Sequence, residues 1–270
     1  MRAPKRGWPS TIIGIVLLGL MLFPVYWMVN VSLQPAGSAL PGSWFPFHPD
    51  FSGYTTAIRD QGRNLVTSLV VALGSVLLSL ALAAPAAYAL AQFRVRGANL
   101  VVFGVLVTQM VPSIVVANAL YSAYNDLGLL NSYLGLVLAD STTGVPFAII
   151  VLRSFMQGIP QEIIEAARVD GAGRLRAFRS VVLPVSANSL ITAALFTFLL
   201  TWSDFLFALT LNTTPAVRPI TLGIYEYIGT HTNQWNATMA TAVLASVPAA
   251  VLLGLAQRHV ARGVTGGAIK

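Results

Sequence analysis

Four stretches of this chain carry no charged residue: 7–49, 64–93, 97–125 and 227–257. Each exceeds the roughly 20 apolar residues an α-helix needs to cross a bilayer's hydrocarbon core. Two further apolar stretches are each interrupted by a single acid, Asp140 in one and Asp204 in the other. Lipid offers backbone N–H and C=O groups no partners, so helices, which satisfy those groups internally, are the expected spanning form. Composition agrees: 9% of residues are charged, against roughly 25% in soluble domains. The chain is therefore expected to be an all-α integral membrane protein. A single transmembrane domain over 1–270 would place six spans at about 11–33, 65–91, 99–121, 133–155, 189–211 and 236–257. Arg2, Lys5 and Arg6 precede the first span as in a signal peptide, but that apolar run is longer than a signal's core and reads as a retained anchor.

Orientation follows from the basic residues. With the N-terminus inside, thirteen of the sixteen Lys and Arg residues fall on the inner side, and only Arg59, Arg63 and Arg218 fall outside. Inner loops carry the excess of Lys and Arg, so both termini and the 156–188 loop are expected to be cytoplasmic. The basic balance thus reflects topology, with contacts to anionic membrane lipid or an acidic partner, and not nucleic-acid binding. The absence of cysteine excludes disulfides and thiolate metal sites.

The 156–188 loop is far longer than the 2 to 8 residues usual between bundle helices. Pro160 suits the first turn of a helix, and Glu162 and Glu165 lie near its positive end. Ile163, Ala166, Ala167 and Asp170 recur at i, i+3, i+4 and i+7, a face of small residues that lets another backbone come close. Asp170-Gly171 then makes a turn. Leu175, Phe178 and Val182 follow at helical spacing among Arg174, Arg176 and Arg179, and Pro184 closes the segment. A helix, a glycine bend and a second amphipathic helix under the membrane form either a plain connector or a docking element, and the length favours docking.

The residues Glu165, Ala166, Ala167, Asp170, Gly171, Ala172, Phe178, Leu183 and Pro184 resemble the EAA loop of ABC-importer permeases. The segments LFPVYWMVNVSLQP at 22–35, AAYALAQFRVRG at 86–97, GLLNSYLGLVLAD at 128–140 and TWSDFLFALTL at 201–211 are similar to the carbohydrate branch of that family, the maltose-transporter type. The tail RGVTGGAIK, with Gly263, Gly266, Gly267 and Lys270, resembles the extension by which one of the paired sugar permeases reaches between the ATPase subunits. One departure is Ser203, where an asparagine commonly follows the tryptophan.

The resemblance implies a multi-pass permease of a prokaryotic inner membrane. Its partners would be a homologous permease in a heterodimer, two ATPase subunits and an extracytoplasmic sugar-binding protein. ATP and Mg would bind the ATPase. Glu165 to Ala172, with Phe178 and Pro184, would form the coupling helix that moves with the ATPase, and a sugar or sugar derivative would cross by alternating access.

The chain itself holds no cofactor site. Its only lysines, Lys5 and Lys270, follow Pro4 and Ile269, so the glycine-lysine pair of a phosphate-binding P-loop does not occur. His48, His231 and His259 fall in loops, no HExxH helix exists, and Glu occurs only at 162, 165 and 226, so neither a metal site nor an acid/base pair assembles and the chain is not expected to be an enzyme. Charged groups inside spans are costly and face cavities or partners. Asp140, Asp204, Trp202 and Ser203 are therefore candidates for the translocation path, with Asn118 and Tyr121, and with Gln109 and Ser113, on the third span. Hydrogen bonding between helices is the competing reading of these polar groups. A secondary carrier or channel subunit is the rival function, although it gives the long cytoplasmic hairpin no role.

Overall fold

The structure, a computed structural model, describes residues 8–37, 44–93, 95–230 and 234–266. All regular elements among them are helical. They are α1 (Trp8–Ser32), α2 (Ser52–Gln92), α3 (Ala98–Thr108), α4 (Ser113–Leu127), α5 (Tyr133–Met156), α6 (Gln161–Val169) and α7 (Arg174–Ala177). A π-helical turn (Phe178–Val182) then leads into α8 (Leu183–Val185), α9 (Ala187–Trp202), α10 (Leu206–Leu211), α11 (Ile220–Thr230) and α12 (Trp235–Gly266).

Among the described residues, four helices are long and apolar enough to cross a membrane: Ser10–Ser32, Ser52–Gln92, Tyr133–Met156 and Trp235–Gln257. Two bent pairs, Ala98–Thr108 with Ser113–Leu127 and Arg174–Val185 with Ala187–Trp202, raise the number to six when each pair is taken as one span.

The third and fifth predicted spans are not continuous. The 99–121 segment breaks between α3 and α4, which meet at 89°. Pro112 lacks an N–H and disfavours helical backbone at Val111, which ends the first limb. The 189–211 segment breaks after Trp202, and α10 starts anew at Leu206. The second element is also longer than 65–91. At 41 residues α2 measures about 60 Å, roughly twice the hydrocarbon thickness, so the polar turns from Ser52 to Arg63 extend it beyond an apolar span.

Contacts divide the chain into two compact units, Met1–Gly62 with Ile224–Val247 and Arg63–Gly223 with Pro248–Lys270. In the first, α1 leaves nearly its whole apolar surface exposed, as a lipid-facing helix does. The end of α1 is tied down: Ser32 Oγ lies 2.8 Å from Tyr54 Oη, and Asp50 N donates to Leu33 O at 2.9 Å. At the start of α2, Ser52 N donates to Asp50 Oδ1 at 2.8 Å. That bond holds the Asp50 carboxyl below the ordinary carboxylate range, so this cap is present at neutral pH and lost as pH falls through the lowered value.

The second unit packs through small residues. Ala83, Ala87, Ala148 and Ala193 are fully buried in one core with Leu152 and Met156. At Gly144 a Cβ would lie 2.5 Å from Ser79 Oγ and 2.9 Å from Thr197 Cγ2, so α2, α5 and α9 approach as closely as helices in membranes do over glycine. A second core gathers Ala117 and Tyr124 of α4, Leu136 and Ala139 of α5, and Phe207 and Leu211 of α10.

Candidate functional site

The segment between α5 and α9 is an ordered hairpin rather than a loose link. Gln92 at the end of α2 donates its Nε2 hydrogens to Met156 O and Ile159 O, fixing where the hairpin leaves α5. Glu162 lies in the first turn of α6 and Arg168 in the last, each matched to the helix dipole. The helix then ends in a Schellman motif. Ala172 N donates to Ala167 O at 3.0 Å, Gly171 N to Arg168 O at 3.1 Å, and Gly171 has φ +83°. Only glycine, and less readily asparagine, occupies that left-handed position without strain.

Past the bend, Phe178 stacks on Tyr88 of α2 with ring centroids 5.2 Å apart. The π-helical turn has a local cause. Pro184 carries no N–H to continue the helical ladder, and the Leu183 N–H reaches five residues back to Phe178 O. Arg174 lies over the Phe93 ring, 5.4 Å from its centroid.

Of the residues marked in this segment, Ala167, Ala172 and Phe178 turn toward the protein and are half-buried. Glu165, Ala166, Asp170, Gly171 and Pro184 are exposed. Glu165 and Arg168 also line a cavity of about 300 Å³ with Arg174, Gln92 and Tyr88. Three apolar side chains project from this polar element, Ile163 and Leu175 of the periodic pattern and Val169 beyond it: Ile163, Val169 and Leu175 are 43%, 88% and 62% exposed.

Of the six candidate path residues, Asp140 and Asp204 lie within electrostatic reach of each other. Asp140 is buried at 4% exposure on α5. The Asp204 carboxylate caps α10, accepting from Phe207 N at 3.3 Å and Ala208 N at 3.1 Å, while its carbonyl accepts from Thr221 Oγ1 at 2.6 Å. Trp202 is buried and stacks on Phe198 at 5.3 Å. Ser203 Oγ donates to Leu199 O at 2.8 Å, within its own helix. Asn118 and Tyr121 are exposed on α4. Gln109 and Ser113 do share a cavity, at the α3–α4 break, with Thr108, Thr142, Thr143 and Phe207. The adjacent Thr142-Thr143 pair inside a span was the available signal for the last of these. The tail residues Gly263 and Gly266 fall in the last turns of α12, and Gly267 and Lys270 lie outside the described residues.

Apolar helices with small-residue crossings, interrupted by an ordered polar hairpin and two broken helices, are the architecture of a polytopic membrane protein. A model of the family described as "Binding-protein-dependent transport system inner membrane component" matches residues 79–266, and the chain belongs to this family. Over 269 residues it is 33% identical to the diacetylchitobiose uptake system permease protein DasC of Streptomyces coelicolor, covering 98% of this chain and 97% of that one. It is 31% identical to the trehalose transport system permease protein SugB of Mycobacterium tuberculosis, covering 98% of each. The crystal structure of a bacterial ABC transporter involved in import of the acidic polysaccharide alginate has the same fold, with a TM-score of 0.77 over 95% of this chain and 99% of that one at 24% identity. The chain is thus a permease subunit of an ABC importer, a multi-pass inner-membrane protein and not an enzyme.

Proposed function

We propose that this chain is the shorter, second permease of a heterodimeric sugar importer. Six spans, with the α3–α4 and α9 segments each completing one, put both termini and the 156–188 hairpin in the cytoplasm, in keeping with the thirteen inner basic residues. Two ATPase subunits, which bind ATP and Mg, dock on the hairpin, and an extracytoplasmic binding protein delivers the sugar. The diacetylchitobiose and trehalose functions of the two relatives support a carbohydrate cargo.

The observation that carries this reading is the hairpin's exposed face. Ile163, Val169 and Leu175 present apolar area on an element otherwise studded with Arg168, Arg174, Arg176 and Arg179, the composition of an interface core with a charged rim. The Schellman bend makes the hairpin stiff enough to transmit a push. Closure of the ATPase dimer on ATP then shifts the bundle between inward-open and outward-open states, because the two states differ in their contacts with the ATPase. Glu165 orients the hairpin, and the small Ala166 admits a close neighbour.

Purification from native membranes in mild detergent is expected to recover an ATPase and a second permease with the wild-type chain. The Glu165→Lys variant is expected to keep the permease and lose the ATPase. Equal recovery of the ATPase with both forms would count against the docking role.

A further inference from the structure

We propose that the cavity at the α3–α4 break is a subsite for one neutral, polyhydroxylated ring of the cargo; this rests on the sugar-import reading and specifies its substrate class. Non-helical backbone at membrane depth is tolerated only where it is buried in protein or lines a water-filled cavity. The break meets that condition, since Gln109 and Val111 border a cavity of about 370 Å³, within the range of small-molecule sites.

The polar lining is set up to meet hydroxyl groups. Thr108 Oγ1 donates to Val105 O at 2.7 Å, Thr142 Oγ1 to Ala139 O at 2.6 Å, and Thr143 Oγ1 to Asp140 O at 2.9 Å. Each hydroxyl has thereby spent its proton inside its own helix and keeps lone pairs to accept from a ligand. Gln109 supplies donors and an acceptor at once, and Ser113 either. Val116, Pro146 and Phe207 add apolar wall. A pyranose ring, with hydroxyls on its edge and C–H groups on its faces, has the matching pattern.

Charge decides the class. Among the described residues, no charged side chain lines the cavity, and the one arginine of α5, Arg153, lies in that helix's last turn. A uronate or a phosphosugar placed here would be desolvated without a counter-charge, which is costly. A neutral glycoside meets no such penalty, in contrast to the acidic polysaccharide imported by the transporter of similar fold.

The test uses the complete importer reconstituted in proteoliposomes with its binding protein. The probes are radiolabelled trehalose, maltose, N,N′-diacetylchitobiose and a uronate disaccharide. Gln109→Leu and the isosteric Thr143→Val are each expected to lower the maximal uptake rate of the preferred neutral sugar about tenfold. KM, set by capture on the binding protein, should hold. Ser113→Trp, which fills the cavity, should abolish uptake. Co-purification of the ATPase and partner permease reports that each variant assembles, and Thr143→Val keeps the test open if the bulkier variant does not. Unchanged maximal rates in the assembled variants, or wild-type preference for the uronate, would overturn the subsite while leaving import intact. Failure of the wild type to take up any neutral sugar with ATP would overturn the sugar-import reading, and the subsite with it.

Discussion

Gly171→Val should lower ATP-driven uptake roughly tenfold while the chain still folds and reaches the membrane. Gly171 stands at φ +83°, and a Cβ there would meet nothing within 4 Å. The penalty is therefore conformational rather than steric. Left-handed backbone costs an L-residue roughly 1–2 kcal/mol, and a β-branched side chain stands at the upper end. Relief comes from opening the Schellman motif, so the bonds from Ala172 to Ala167 and from Gly171 to Arg168 are lost and the hairpin leaves its docking geometry. Since 1.4 kcal/mol is a factor of ten in population, coupling falls by about that much. Gly171→Asn separates this account from mere loss of flexibility, because asparagine tolerates the left-handed region. It should retain most of the uptake, measured as ATP-dependent accumulation of labelled sugar at matched expression. Equal losses for asparagine and valine would point to a requirement for bare backbone at the ATPase contact instead.

Gly135→Ala is the second large effect, and it acts on stability. A methyl group at Gly135 would overlap the carbonyl oxygen of Leu129, with Ser132 Oγ only 3.0 Å away. Ser132 caps α5 by accepting from Gly135 N at 3.0 Å, and donates in turn to Leu129 O at 2.7 Å. The obstacle is backbone that no rotamer change can move, so the first turn of α5 must shift, and with it Leu136 and Ala139 in the core shared with α4 and α10. Overpacking of this kind reaches about 3 kcal/mol. The purified complex in detergent should melt several degrees lower than wild type. Gly104→Ala is the control: nothing lies within 4 Å of its Cβ position, and replacing a mid-helix glycine stabilises by roughly 0.5–1 kcal/mol. A melting temperature lowered equally by both would contradict the packing account.

What the sequence made legible divides along physical lines. Charge-free runs report the solvent directly, so the helical membrane class could be read from 64–93 or 227–257 alone. Asp170-Gly171 announces a bend because glycine chemistry is local, and the structure shows φ +83° there. Pro112 lies inside the third predicted span, but proline kinks and proline breaks look alike in sequence, and only the 89° turn between α3 and α4 distinguishes them. The break after Trp202 had no such marker. Ser203, Asp204 and Phe205 include neither proline nor glycine, and the helix restarts because Asp204 caps Phe207 and Ala208. Asp204, read as a path candidate for its charge, thus has a local structural use as well. The α3–α4 cavity was half visible, through Gln109 and Ser113, while Thr142, Thr143 and Phe207 reach it from distant positions in the chain. Convergence of that kind depends on helix packing that no local pattern encodes.

The central claim is that the 156–188 hairpin carries the ATPase. The chain has no cysteine, so one introduced thiol reports one place. Val169→Cys, at an 88% exposed position on the hairpin, and Leu77→Cys, at a 71% exposed position on the apolar face of α2, would each be treated in native membranes with a thiol-to-amine crosslinker. The products would be identified by mass spectrometry. The account predicts a crosslink from position 169 to a nucleotide-hydrolysing subunit and none from position 77. No ATPase adduct from position 169 in membranes that import sugar with ATP would contradict it.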